Sequence, residues 1–206
     1  MRTIAQRQLD KISRTSDHYL VDIMILGEEG IGWYERANND LRHFADAIGD
    51  VSPQEVADVT AILSPRCSVK RNCIMAVDWF VNRRRPDGSM PQRWNSVVAY
   101  YQRGNVGSNS ALKIRAFARA LGGDYSACVN DTHIASVFGL DYGKDGLKEA
   151  SYNAITRRIE RLARRFGITT CDAQAALWVG WRAATGQQKD GDHVADLSLC
   201  EFLPVA

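Results

Sequence analysis

The chain has 206 residues, 45% of them hydrophobic and 24% charged, with a net charge of +2. That composition suits one globular domain with a real core, and it leaves no global excess of positive charge, so any basic surface has to be local. No apolar run approaches the roughly 18 residues that a membrane span needs, and the basic start MRTIAQRQLDKISR lacks the apolar core of a secretory signal.

Residues 1 to about 30 read as one or two helices broken near Gly27–Gly30, a loosely attached N-terminal segment. From Gly32 the apolar residues Trp33, Tyr34, Ala37, Leu41, Phe44, Ala45 and Ile48 recur at helical spacing, and Gly49 stops them. Ser52-Pro53-Gln54-Glu55 is a helix start, with Ser52 as cap, Pro53 in the first turn and Glu55 closing a capping box. That helix should end at Leu63, before Pro65. Ser68 caps the next, whose apolar set includes Ile74, Val77, Phe80 and Val81.

Pro86-Asp87-Gly88 marks a turn, and a helix follows from about Trp94 to Gln102, broken by GNVGSN. Two helices then carry Lys113 and Asp131. A long helix from about Gly146 to Phe166 has Ile155, Ile159, Leu162 and Phe166 in one stripe and Gly167 as its stop. The last strong helix spans Asp172 to Ala184, with Thr170 or Cys171 near its cap, and residues 186–206 form an irregular tail that opens on a polar loop. No segment alternates with period two between turns. The expectation is an all-α chain, one compact helical domain over residues 1–206 with about eight helices.

The five cysteines are odd in number and form no Cys-x-x-Cys pair, which argues against a zinc ribbon or an iron–sulfur loop and for free thiols in a reducing cytoplasm. Asp131 and His133 make two potential metal ligands with no third nearby, so no metal is expected. No P-loop or ligand cluster implies a cofactor.

Lys113 lies at one edge of the apolar face formed by Ile114, Phe117, Ala118 and Leu121. It is either a snorkelling surface lysine or a partly desolvated amine fit for nucleophilic attack. Asp131 opens the helix THIASVFG, as an N-cap, as a carboxylate that stabilises a developing cation, or as both. His133 reads as a structural histidine or as part of a pocket.

Gln174, Trp178 and Trp181 share a helix face, so two indoles and an amide could hold an extruded base, or simply fill the core. Asn72 has both donor and acceptor for a base edge, and Arg66, Lys70 and Arg71 carry charge for phosphates. Arg157, Arg161, Arg164 and Arg165 follow helical spacing, with Arg158 to one side; the stripe suits a nucleic-acid backbone or a solvated helix face.

Asp131 follows Lys113 by 18 positions (131 − 113) and begins an Asp-Thr-His. This resembles the helix-hairpin-helix DNA glycosylase superfamily, including the endonuclease III group, over residues 104 to 139. The resemblance implies that Lys113 is the Schiff-base lysine and Asp131 the catalytic aspartate. The hairpin departs from the family pattern LPGVGxK: the chain reads GNVGSNSALK, and the iron–sulfur cysteines are missing. The pieces GWYERA, AILSPRCSVKRNC, ALKIRAFARALGGD, NDTHIASVFG and DAQAALWVGWRAATG also look like a family of small phage-encoded proteins of unassigned function, over about residues 30 to 186. That implies a phage origin and residence in the cytoplasm of a bacterial host. Phage enzymes that hypermodify thymine resemble the same glycosylase fold.

The expected function is therefore DNA binding with base-directed chemistry, either N-glycosidic cleavage or base modification. Asp131 would stabilise the sugar cation and Lys113 would attack or protonate. His133, Asn72 and Arg66 would shape the pocket with Gln174, Trp178 and Trp181, while Lys70, Arg71, Arg157, Arg161 and Arg164 would take the DNA backbone. The alternative is a non-enzymatic phage protein on a degenerate glycosylase fold that binds DNA or a host protein.

Overall fold

The computed structural model describes residues 3–104, 106, 111–142, 147–187 and 197–204. Among them lie ten α-helices and two 3₁₀ turns, and no strand. In chain order the helices are α1 Ile4–Arg14, α2 Asp17–Leu26, α3 Trp33–Ile48, α4 Pro53–Leu63, α5 Val69–Asn82, α6 Pro91–Arg103, α7 Leu112–Leu121, α8 Thr132–Val137, α9 Glu149–Phe166 and α10 Thr170–Ala184. They form two compact units. Unit 1 takes residues 1–33 and 125–194; unit 2 takes 34–124 and 195–206. The expected break at residues 104–109 and the polar loop at 186–195 fall mostly outside the described residues.

Local chemistry sets most helix ends. The Ser52 hydroxyl accepts from the Glu55 amide at 3.1 Å with Pro53 behind it, and α4 stops at Leu63. The Ser68 hydroxyl accepts from the Arg71 amide at the start of α5. The true cap of α10 is Thr169, one residue before the expected ones, in a reciprocal capping box with Asp172. Gly167 closes α9 at φ 66°, the left-handed conformation that a side chain resists.

Unit 1 is built around α10. Residues 4–26, read from the sequence as loosely attached, place Ile12, Leu20, Ile23 and Met24 in its core beside Ile134, Ile155, Ile159, Ala173 and Leu177. The α2–α10 crossing is very close. A β-carbon on Gly180 would collide with the Ile23 carbonyl, and one on Gly27 with the Ala176 carbonyl. Only glycine at these two positions lets the backbones meet. Arg158, to one side of the exposed arginine stripe, points inward: it donates to the Ile12 carbonyl at 3.0 Å and to the Thr15 carbonyl and Asp17 carboxylate at 2.6 Å each.

In unit 2, α4 is the central helix, buried on every side from Val56 to Leu63, and α5, α6 and α7 pack on it. Gln54 donates to Asp58 at 2.8 Å, whereas the buried Thr60 hydroxyl has no hydrogen-bond partner. Asn38 of α3 donates to the Leu121 carbonyl at the end of α7. The C-terminal residues 197–204 are held by Asp40, whose carboxylate accepts from the Leu199 amide and the Ser198 hydroxyl.

Two expected stripes are offset. Ile74 and Val81 of α5 are exposed, and so is Phe166 at the end of α9. The small residues Cys73 and Ala76 turn inward with Val77 and Phe80 instead, so a stripe counted only on large apolar side chains falls about one residue to the side.

Candidate functional site

In unit 1 the segment before α8 is pinned to its neighbours by a buried polar network. The Asn130 side-chain amide, wholly buried, donates to the Tyr152 carbonyl at 3.1 Å and to the Thr156 hydroxyl at 2.9 Å. The Tyr152 hydroxyl donates to the Cys128 carbonyl at 2.7 Å and accepts from the Asn130 amide. Burial pushes the Tyr152 phenol well up, so it stays a donor at neutral pH. Cys171 of α10 donates its thiol hydrogen to the Ala127 carbonyl. These bonds fix the backbone that delivers Asp131.

Asp131 is the N-cap of α8. One carboxylate oxygen accepts from the Ile134 amide at 3.0 Å, the other from the Trp178 indole N–H of α10, also at 3.0 Å. The His133 ring meets Trp178 edge-on at 5.6 Å, and the Arg182 guanidinium lies over the Trp178 ring at 4.6 Å. Burial raises the Tyr142 phenol, and the Asp131 charge adds to that, so this tyrosine belongs to the same neighbourhood. Asp131, His133 and Trp178 thus lie together, with Arg182 and Tyr142 beside them.

The other two members of the expected α10 face behave differently. Gln174 is buried, and Trp181 packs on the core with its indole N–H buried and unpartnered. Trp178 itself is engaged at its N–H and on one face, so the pair forms no open slot between two indoles.

Lys113 stands in unit 2, in the first turn of α7 and half-buried. Its charge acts on the Cys67 thiol, as do those of Arg71 and Arg93. Arg66 is exposed and carries a left-handed backbone at φ 61°. Lys70 is exposed as well, whereas Asn72 is buried with its side-chain oxygen unpartnered. On α9, Arg157, Arg161, Arg164 and Arg165 are exposed; Arg161 lies 3.6 Å from Asp17. Among the described residues no group of three His, Cys, Asp or Glu side chains could hold a metal ion, and no helix is long and apolar enough to cross a membrane.

Sequence patterning missed Cys67, Arg93 and Arg182, and also the pair of carboxylates on α4. Tyr101 of α6 donates to Glu55 at 2.5 Å, and Tyr100 bonds Asp58, whose carboxyl is raised chiefly by burial. Glu55 and Asp58 are one helical turn apart, a spacing that was visible; the tyrosines that meet them come from 42 (100 − 58) to 46 positions away.

A family model spans both sets of residues, matching positions 24–185. The chain belongs to this family of unknown function, DUF7178. Nothing among curated proteins or solved structures matches it. The family carries an all-helical fold in this member and brings no activity with it.

Proposed function

We propose that the chain is a DNA-binding protein with base-directed chemistry, N-glycosidic cleavage or modification of a base, encoded by a phage and built on a glycosylase-like helical core. The observation that carries the reading is the fixed carboxylate of Asp131. Two N–H donors, from Ile134 and Trp178, orient it, and each oxygen keeps a further lone pair. A carboxylate so held stabilises a developing sugar cation without having to reorganise. His133 stands beside it through Trp178. The exposed arginines of α9, in the same unit, supply sequence-independent attraction to phosphates. Lys113 is the nucleophile in this reading.

Borohydride trapping on duplexes with modified bases and abasic sites tests it. A covalent adduct with the wild type, lost with Lys113→Ala, is the expected result, with base release lost in Asp131→Asn. No adduct and no base release would remove the chemistry.

One observation favours a second reading, a binding protein without chemistry that recognises DNA or a host protein. Trp178 is held at its N–H and covered by Arg182, so it offers less to a stacked base than a free indole would. DNA affinity unchanged in both variants, with no turnover, supports it.

A further inference from the structure

Between α4 and α5 the chain turns through Ser64, Pro65, Arg66, Cys67 and Ser68, and this turn forms one wall of a small cleft in unit 2. Arg71 from α5 and Ser89, Met90 and Arg93 from the start of α6 line it together with Arg66 and Cys67. Three guanidinium groups therefore share one small opening. Lys113 adds a fourth positive charge within electrostatic reach of Cys67. No aspartate or glutamate lines the cleft.

Several arginines elsewhere in unit 2 have acceptors. Arg83 approaches Glu55, Arg84 approaches Asp78 and Asp87, Arg85 donates to the Ser89 carbonyl, and Arg119 pairs with Asp124. Among the described residues, Arg66, Arg71, Arg93 and Lys113 pair with no carboxylate. The Arg93 Nε is buried with no hydrogen-bond partner. Burial first, then the charge of Arg66, pull the Arg93 guanidinium below its ordinary range. Arg66 and Arg71 are exposed, so the cost of desolvation falls on the half-buried Arg93, which an anion would complete.

The neutral groups point the same way. Ser89 is 4% exposed, and its oxygen accepts from Arg85 Nε at 3.3 Å, which leaves its hydroxyl hydrogen free to donate. Arg71 and Met90 stand at the N-termini of α5 and α6, 14 and 13 residues long. The positive ends of two helices thus border the cleft. Cys67 is no competing anion. Burial raises its thiol despite the three cations, and the sulfur donates to the Ser64 carbonyl at 3.1 Å.

We propose that this cleft is a binding site for a terminal phosphate, a phosphate monoester held by Arg66, Arg71 and Arg93. A monoester presents three acceptor oxygens and close to two negative charges at neutral pH, matching several forked donors, whereas a bridging diester presents two oxygens and one charge. A nucleoside 5′-monophosphate and the 5′-phosphorylated end of a DNA strand both carry this group. The site needs no base chemistry to operate, so it stands or falls apart from the role given to Asp131.

Calorimetric titration of the full chain at low ionic strength tests the proposal, first with inorganic phosphate. Next come a nucleoside 5′-monophosphate and a short single strand with and without its 5′-phosphate. Binding of inorganic phosphate is expected, weakened at least tenfold in Arg93→Gln and in Arg71→Gln and unchanged in the exposed Arg7→Gln. Phosphate should also slow alkylation of Cys67, a readout that needs no variant and survives if one fails to fold. A preference for the free nucleotide assigns the site to small molecules, and a preference for the 5′-phosphorylated strand assigns it to DNA ends; either supports it. Absence of both heat and Cys67 protection overturns the proposal. So does equal affinity for strands with and without the 5′-phosphate, or binding that both arginine variants leave intact.

Discussion

The indole N–H of Trp178 donates to the carboxylate of Asp131 at 3.0 Å, tying the start of α8 to the middle of α10 across 47 positions of sequence. Asp131 thus does two structural jobs, one per oxygen: it caps its own helix and anchors another. Trp178→Phe keeps an aromatic ring but removes the donor and part of the indole's volume. Because Asp131 is half-buried, water can replace part of the lost bond, and urea unfolding should show a loss of about 1 kcal/mol. Asp131→Ala removes both the cap and the tie, with about 1–3 kcal/mol expected. Equal losses in the two variants would mean that the cap carries no weight.

Gly180 of α10 sits against the Ile23 carbonyl, where a methyl group has no room. Gly180→Ala should cost about 1–3 kcal/mol or more, since two backbones must separate. Gly139, at φ 65° with open space around it, provides the contrast. Gly139→Ala meets only the backbone penalty of a left-handed residue, about 1–2 kcal/mol. Thermal unfolding of both variants separates the two causes, and Gly180→Ala melting with the wild type would refute the close crossing.

Burial raises the Asp58 carboxyl above its usual range, outweighing the hydrogen bonds from Gln54 and Tyr100 that pull it down. The folded chain therefore holds this proton more tightly than the unfolded chain does. Its contribution to stability is full below the unfolded value, about 3.9, and is lost as pH rises through the raised folded value. Asp58→Asn should remove that component. Urea midpoints followed upward from about pH 4 should fall more steeply in the wild type than in the variant, and parallel curves would contradict the assignment.

The five thiols divide by burial. Cys73 and Cys128 are pushed up to about 12, chiefly by desolvation, and Cys171 is buried with them; Cys67 and Cys200 are partly exposed. Cys200 is itself pushed up to about 11 by burial and by Asp40. A thiol reagent at mild alkaline pH should modify Cys67 and Cys200 slowly in the native protein, and all five only in denaturant. Native-state modification of Cys73 or Cys128 would show that their surroundings open.

Signals that act within one helical turn were readable from residue order. Ser52 with Pro53, Ser68, and Gly49 and Gly167 as stops all stand where local chemistry puts them, and so does Asp131 as a cap. What residue order hid is the set of partners that folding brings in. Glu55 reads as the closing half of a capping box, but it takes the Tyr101 hydroxyl instead. Arg158 reads as surface charge, yet it bonds three groups near α1 that precede it by more than 140 positions. Arg93 lies in a helix start with no motif of its own. Only the packing of α5 and α6 on α4 gives it two arginine neighbours. The division into two units left no compositional trace either, since α3 runs without a break across the boundary between Trp33 and Tyr34.

Both units are discontinuous in the chain, and this shapes how the protein must be made. Leu20, Ile23 and Met24 leave the ribosome early, but Ala173 of α10, which shares their core, lies 149 positions (173 − 24) beyond Met24. At about 5–20 residues per second, synthesis leaves the apolar side of α2 waiting on the order of ten seconds for the helix it packs against. Residues 34–124 emerge during that wait and hold nearly all of unit 2. Unit 2, which begins second, is thus nearly whole before unit 1 receives α10, and only its last segment, residues 195–206, follows. A chain interrupted before α10 would present α2 as an unsatisfied apolar surface, a natural substrate for chaperones and for degradation.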